Sequence, residues 1–162
     1  EDSARDPGLE LRDSEDQSAS MDPDANVQRA VPFFRVANLE TSLQFYVGGL
    51  GFHMTNQWID DGVLRWCWLE LGGAALLLQE FRREGHDAWV ADGKVGVGVT
   101  IYFTCRDALT IHRDAIAAGL DASTPFVGNG AWVTGLSDPD GYRIEFESPT
   151  DVPEGTVYAG AE

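Results

Sequence analysis

The sequence lacks any long apolar run, and no stretch approaches the roughly 20 residues of a membrane-spanning helix. Its acidic amino-terminal residues contain no apolar segment typical of a signal peptide. It has only two cysteines, Cys67 and Cys105, and no CxxC pair, which excludes the usual cysteine-based zinc site. Because both lie in apolar, strand-like segments, we expect buried free thiols and a cytoplasmic location.

Basic residues are scarce as well. Eleven Lys and Arg stand against 27 Asp and Glu, which gives a net charge of −16. Residues 1–28 contain nine acids and two bases and so contribute −7, which leaves −9 for the rest. Such a charge opposes nucleic acid, and we expect neither a nucleic-acid nor a membrane partner. An acidic, soluble surface explains the charge, and attraction of a cationic ligand is the alternative.

What the sequence does contain is one domain between two terminal segments. Residues 1–28 are rich in Asp, Glu and Ser, which predicts a disordered acidic tail. Met21 is a candidate natural start, with residues 1–20 then a vector-derived extension. We assign residues 29–150 to the folded domain and residues 151–162 to a carboxyl-terminal tail.

The folded domain consists of two similar halves, at about 31–81 and 97–148. The first predicts a strand at 31–36, a helix at 39–50, and strands at 52–59, 63–71 and 74–81. The second predicts a strand at 97–105, a helix at 107–118, and strands at 123–127, 131–136 and 142–147. Because neither half alone would cover its sheet, we expect an α+β fold whose paired halves, within a chain or across a dimer, build a concave cup.

Four segments carry a family resemblance. The first strand reads VPFFRV at 31–36, and it is followed by LETSLQFY at 39–46 and GLGF at 49–52. The fourth, DPDGYRIE at 138–145, is a tight turn followed by a strand. Together they resemble the vicinal oxygen chelate superfamily, which includes glyoxalases, dioxygenases and bleomycin resistance proteins. Over residues 31–148, this resemblance implies two tandem βαβββ modules that form a concave mixed sheet, and a homodimer.

The resemblance also allows a test for a metal site. Metal-using members place a His or Gln on the first strand of each half and a Glu on the last. Carried over one at a time, these four positions fall on Val31, Thr100, Leu77 and Glu145. Only Glu145 keeps a ligand type, and one carboxylate does not make a divalent-metal site. No cofactor is therefore expected, and a divalent ion at Glu145 is the alternative.

The three histidines do not supply the missing ligands. His53 opens the second strand, His86 lies in the linker between the halves, and His112 is expected on a solvated helix face. A site around His86 with Glu84 or Asp87 is the alternative. The chain thus resembles the metal-free, ligand-sequestering branch of the superfamily more than its enzymes.

Strand alternation predicts which side chains line the cup. Apolar residues such as Ile144 and Phe146 should pack under the helices. The opposite face supplies the predicted wall, which consists of Phe33, Arg35, Trp66, Trp68, Gln79, Tyr102 and Glu145. Trp58 and Trp132 are further candidates for this wall. Aromatic rings offer a flat ligand a large rigid contact, and Glu70 and Glu145 would attract a cationic group. Alternatively, these rings fill the centre of the fold or a dimer seam.

The leading functional hypothesis is non-catalytic binding. Under this hypothesis the protein resembles bleomycin resistance proteins and confers antibiotic resistance by sequestering an aromatic molecule. In one alternative this molecule is also cationic. Phe33, Trp66, Trp68 and Tyr102 would stack on the ligand, Gln79 and Glu145 would bind its polar groups, and no residue is assigned as catalytic. A second hypothesis is a glyoxalase- or dioxygenase-type enzyme with a metal ion at Glu145. A third is a metal-free enzyme with Glu145 as general base.

Overall fold

The computed structural model describes residues 23–86 and 88–160. Met21 and most of the predicted tail at 1–28 lie outside these residues. The chain divides into two units between Ala30 and Val31, and residues 23–30 contain turns and extended chain without a helix or strand. In the described part, no helix is both long enough and apolar enough to cross a membrane.

The first module of the second unit contains two consecutive helical segments and four strands. In chain order these are β1 (Phe33–Val36), α1 (Leu39–Leu43), a π-helical segment (Gln44–Gly49), β2 (His53–Asp60), β3 (Val63–Leu71) and β4 (Ala74–Glu80). The strands form a sheet in the order β1-β4-β3-β2. Strand β1 runs parallel to β4, and the other two pairings are antiparallel.

The second module repeats this arrangement. Its elements are β5 (Thr100–Thr104), α2 (Ala108–Ala117), β6 (Phe126–Gly128), β7 (Ala131–Ser137) and β8 (Arg143–Pro149). The sheet order is β5-β8-β7-β6, again with the first strand parallel to the last. The predicted α+β fold of two tandem βαβββ modules is therefore confirmed.

The first helix differs from its prediction. It begins as expected, because the side chain of Asn38 accepts the backbone N–H of Thr41 and caps the first turn. After Leu43, however, it widens into the π-helical segment instead of continuing to residue 50 as an α-helix. A Cβ at Gly49 would lie 2.6 Å from Leu120 Cδ1, so the backbone of this segment packs closely against a side chain of the second module.

Two strands begin later than predicted. Gly96 and Gly98 adopt φ angles of 72° and 77°, so the chain is still turning where the strand was expected to begin at residue 97. The strand predicted at 123–127 begins at Phe126. Pro125 has no backbone N–H to donate, so ladder pairing begins after it.

Both sheets bury their helix-facing sides in one core. The first module contributes Phe34, Val36, Cys67, Leu69, Leu76 and Leu78. The second contributes Phe103, Ile144 and Phe146, which confirms the predicted apolar faces. Phe52 contacts Phe103 with ring centroids 6.2 Å apart, so the core is continuous between the modules. The other side of each sheet, its open face, therefore points away from this shared core.

A buried carboxylate in the turn before β8 joins the modules. Asp138 is 5% exposed, and its Oδ1 accepts the backbone N–H groups of Asp140 and Tyr142, each at 2.9 Å. Its Oδ2 accepts the hydroxyl of Tyr46 from the first module at 2.8 Å. Burial raises the pKa of Asp138, although the hydrogen bonds from Tyr46 and the turn backbone oppose this shift. The DPDG sequence therefore fixes this turn to the first module.

Three further contacts extend this attachment to β1 and the residue that follows it. The backbone N–H of Ala37 donates to Asp140 Oδ1 at 2.8 Å. The Tyr142 hydroxyl donates to the carbonyl oxygen of Arg35 at 2.9 Å. The Tyr142 ring also stacks on Phe34, with centroids 4.1 Å apart and planes 5° from parallel. Strand β1 is thus fixed by a turn that lies about 100 residues further along the chain.

Replacing Tyr46 by Phe tests this joint. The variant should lose about 1–3 kcal/mol of unfolding free energy, because a buried carboxylate loses a hydrogen-bond donor that water cannot replace. Urea unfolding followed by circular dichroism measures the loss. As the matched control, Tyr158→Phe should change stability by less than about 0.5 kcal/mol. Equal losses in the two variants would contradict the assigned role of Asp138.

Candidate functional site

The open face of the first sheet carries two rows of side chains that cross all four strands. One row consists of Arg35, Gln79, Trp66 and Trp58, which are paired in register from β1 to β2. The parallel row consists of Phe33, Leu77, Trp68 and Asn56. Five of the seven predicted wall residues therefore lie together on this one surface.

Much of this surface is aromatic and uncovered. We call the rings of Phe33, Trp58, Trp66 and Trp68 the aromatic face. Phe33 is 45% exposed and Trp58 is 37% exposed, while Trp66 and Trp68 are half-buried. Gln79 lies between them and is buried. The described chain therefore leaves these rings accessible to a flat molecule.

Cations and an acid border the aromatic face. The Cζ atom of Arg35 lies 4.9 Å from the ring centroid of Phe33, and that of Arg82 lies 5.7 Å from the ring centroid of Trp58. Both distances are within the range of cation–π attraction. The indole Nε1 of Trp68 donates to Glu70 Oε1 at 2.9 Å, which orients this ring. The face thus combines stacking surfaces with groups of both charges.

The open face of the second sheet is polar. Tyr102 and Glu145 are register partners there, and Glu145 is opposite Gly135 on the next strand. Glu147 accepts a hydrogen bond from Tyr102, and this bond, followed by desolvation, raises the pKa of the phenol. The remaining two predicted wall residues, Tyr102 and Glu145, therefore lie on a different sheet from the aromatic face.

Glu145, which was predicted to attract a cationic group of a ligand, already has a cation of the protein beside it. Arg143 Nε lies 3.4 Å from Glu145 Oε1, so the carboxylate has a positive partner on its own strand. Gly135 leaves the room for this pair, because a Cβ there would overlap the guanidinium of Arg143. A small residue within a central strand was the sequence signal for this close approach.

Two further predictions, for Trp132 and His112, are corrected by the structure. Trp132 is paired with Ser148, so it lies on the helix side of the second sheet and not on the cup wall. Its ring packs 6.1 Å from that of Tyr158, and His112 on α2 lies at the same distance from Tyr158. The His112 side chain is half-buried, with a buried Nδ1 atom, and so is not fully solvated as predicted. Residue 158 is held there because its N–H donates to Pro125 O at 2.9 Å.

A cavity of about 660 Å³ lies between the modules, at the carboxyl end of β5. Its apolar lining comes from both modules: Leu50, Leu71, Phe103, Ile111 and Phe146. Of the predicted wall residues in the described structure, Tyr102 alone lines it. Both thiols are free. Cys67 is buried, with its pKa raised by desolvation to about 11, whereas Cys105 lines the cavity and is only half-buried.

The donor set does not fit a resident divalent metal ion. Among residues 23–86 and 88–160, no group of three or more His, Cys, Asp or Glu side chains is arranged to hold one. Glu145 has Tyr102 and Gly135 as register partners and a guanidinium beside it. At the equivalent position of the first sheet stands Leu77, whose partner on β1 is Phe33.

The comparison with known families agrees with this architecture. Residues 27–146 match the model of the Glyoxalase/Bleomycin resistance protein/Dioxygenase superfamily. The match covers more than half of the chain, and the chain belongs to this superfamily. A search of curated proteins found no match.

Solved structures share the fold at low sequence identity. TnmS3, an antibiotic binding protein from Streptomyces sp. CB03234, is 20% identical with a TM-score of 0.57, over 75% of this chain and 97% of that one. TioX from Micromonospora sp. ML1 is 19% identical with a TM-score of 0.57, over 75% and 99% of the two chains. A glyoxalase/bleomycin resistance protein/dioxygenase from Nocardioides is 17% identical with a TM-score of 0.59, over 86% and 93%. At these identities the likeness establishes the fold alone.

A double-mutant cycle tests the packing of Arg143 over Gly135. Gly135→Ala should stabilise the Arg143→Ala variant by about 0.4–1 kcal/mol, because alanine restricts the unfolded chain more than glycine does. In the wild type this gain should be cancelled, because the new methyl group displaces the guanidinium from Glu145. The difference, about 0.5 kcal/mol or more, is measured by urea unfolding. The same change in both backgrounds would show that Arg143 does not occupy this space.

Proposed function

We propose that the protein binds and sequesters a small aromatic molecule on its open sheet faces, without converting it. The observation that carries this proposal is the aromatic face, where four rings share one surface that the described chain leaves uncovered. Single exposed apolar residues are common on proteins, but a contiguous patch usually marks a binding surface. The polar groups beside these rings would fix the orientation of a flat ligand.

A second copy of the chain would complete the site. Each open face points away from the shared core, so neither is covered by the module that carries the other. In a homodimer, the polar face of Tyr102 and Glu145 would close over the aromatic face of the partner and form the cup. The exposure of Phe33 and of Tyr102, at 45% and 53%, supports such a closure.

The proposed ligand class is an aromatic antibiotic or a similar natural product. TnmS3, with the same fold, is described as an antibiotic binding protein, and we extend that role to this chain as a proposal. The residues around Glu145 do not offer the set of ligands that a divalent metal ion needs, which favours binding over metal-dependent catalysis. The two free thiols are consistent with a reducing cytoplasm as the place of binding.

Binding measurements on paired tryptophan variants test the proposal. Bleomycin and an anthracycline serve as ligands in isothermal titration calorimetry of the wild type, Trp68→Ala and Trp132→Ala. Trp68→Ala should weaken binding by about tenfold or more, because it removes a central stacking surface. Trp132→Ala removes a ring of equal size on the helix side and should leave the affinity unchanged. Equal losses in both variants, or absence of binding by both drugs and by naphthalene-2-carboxylate, would overturn the proposal.

A further inference from the structure

We infer that Arg35 recognises an anionic oxygen of the ligand, so that the aromatic face is built for a flat aromatic acid, with a carboxylate or phenolate beside its rings. The inference rests on the proposed binding at this face and deepens it by naming the ligand class. It replaces the cationic ligand that the acidic composition and Glu145 had favoured.

Arg35 is held at the edge of the aromatic face by its backbone and by its neighbours. Its carbonyl oxygen accepts a hydrogen bond from the hydroxyl of Tyr142 at 2.9 Å, and Arg35 pairs in register with Gln79 on β4. Its guanidinium carbon lies 4.9 Å from the ring centroid of Phe33. The Nη1 atom is buried and has no hydrogen-bond partner in the described chain. The side chain therefore has a charged N–H donor to which no protein atom supplies an acceptor.

The other two arginines at the open faces differ in this respect. Arg82 lies over Trp58 and forms an ion pair with Asp60 at 3.6 Å. Arg143 forms its ion pair with Glu145 at 3.4 Å. Within the described residues, no carboxylate forms an ion pair with Arg35. Each of the two paired guanidiniums thus has its counter-charge from the protein, whereas that of Arg35 is left for another molecule to supply.

Physical chemistry defines what would satisfy Arg35. A buried, charged N–H without an acceptor is unfavourable, and it gains most from an acceptor that is itself charged. The planar guanidinium matches a carboxylate through two parallel hydrogen bonds. The guanidinium of Arg35 would turn from the ring of Phe33 towards the carboxylate of the ligand. It would then hold that carboxylate at the edge of the aromatic face. The aromatic part of the ligand would then lie on Trp66 and Trp68.

Glu70 is the group that would favour the opposite charge. It lies on the same open face, but Trp68 Nε1 already donates to its Oε1 at 2.9 Å. Its carboxylate is therefore stabilised within the protein, and its main effect is to orient the indole. A ligand carrying an ammonium group would gain less from Glu70 than an anionic ligand gains from Arg35.

Three naphthalene probes of equal size test the inference: naphthalene-2-carboxylate, neutral 2-naphthamide and cationic 2-naphthylmethylammonium. Dissociation constants come from quenching of tryptophan fluorescence. The carboxylate should bind the wild type about tenfold or more tightly than the amide, as expected for charge-assisted hydrogen bonds. Arg35→Gln should reduce this preference to about twofold or less, since glutamine keeps a donor but not the charge.

Arg113→Gln is the matched control. Arg113 is exposed on α2, where it donates to Thr110 and Tyr158, and its removal also lowers the positive charge by one. This variant should keep the full preference for the carboxylate. If the preference falls equally in Arg113→Gln and Arg35→Gln, overall charge is responsible and the inference is overturned. If Arg35→Gln does not fold, Arg35→Lys replaces it and should show a reduced preference; an unchanged one overturns the inference.

The outcomes separate this inference from the proposed function. If all three probes bind the wild type equally, or the ammonium binds most tightly, the role of Arg35 is wrong while aromatic binding stands. If none of the probes binds, both the proposed function and the inference fail. A carboxylate preference that disappears only in the Arg35 variant supports both.

Discussion

Asp138 is a buried carboxylate whose oxygens accept hydrogen bonds from both modules. Burial raises its pKa, and three donors stabilise its charged form: the hydroxyl of Tyr46 and two N–H groups of its own turn. The same turn reaches β1 through the hydroxyl of Tyr142, which donates to the carbonyl of Arg35. The position of the first strand, and with it one edge of the aromatic face, therefore depends on an interaction made by the second module.

The chain also carries two chemically different surfaces. Because both sheets bury their helix sides in one core, their open faces point away from it. The first is aromatic and has an arginine at its edge. The second is polar, and its central carboxylate is neutralised by Arg143 in the space above Gly135. A flat ligand held between two copies of the chain would thus meet rings on one side and hydrogen-bonding groups on the other.

The sequence predicted the features that depend on local rules. Strand alternation separated Ile144 and Phe146 from Glu145 correctly, and the DPDG turn identified the fold. The errors involve element boundaries, the face of one strand and the packing of the carboxyl-terminal segment. His112 was misplaced because the segment around Tyr158 folds back against it. Trp132 was misplaced because its register with Ser148, which sets its face, was not worked out from the alternation of that strand. Alternation already puts Arg143 on the face of Glu145, and only the space that Gly135 leaves for the guanidinium depends on the adjacent strand. The role of the seven wall residues in binding stays a prediction.

The most direct test of the account follows the indole N–H signals of the five tryptophans by ¹H–¹⁵N NMR during titration with naphthalene-2-carboxylate. Binding at the aromatic face predicts shifts for Trp58, Trp66 and Trp68, whose rings share that surface. It predicts no shift for Trp132, which packs against Tyr158 on the helix side of the other sheet. Shifts at Trp132 without shifts at Trp66 and Trp68 would contradict the account.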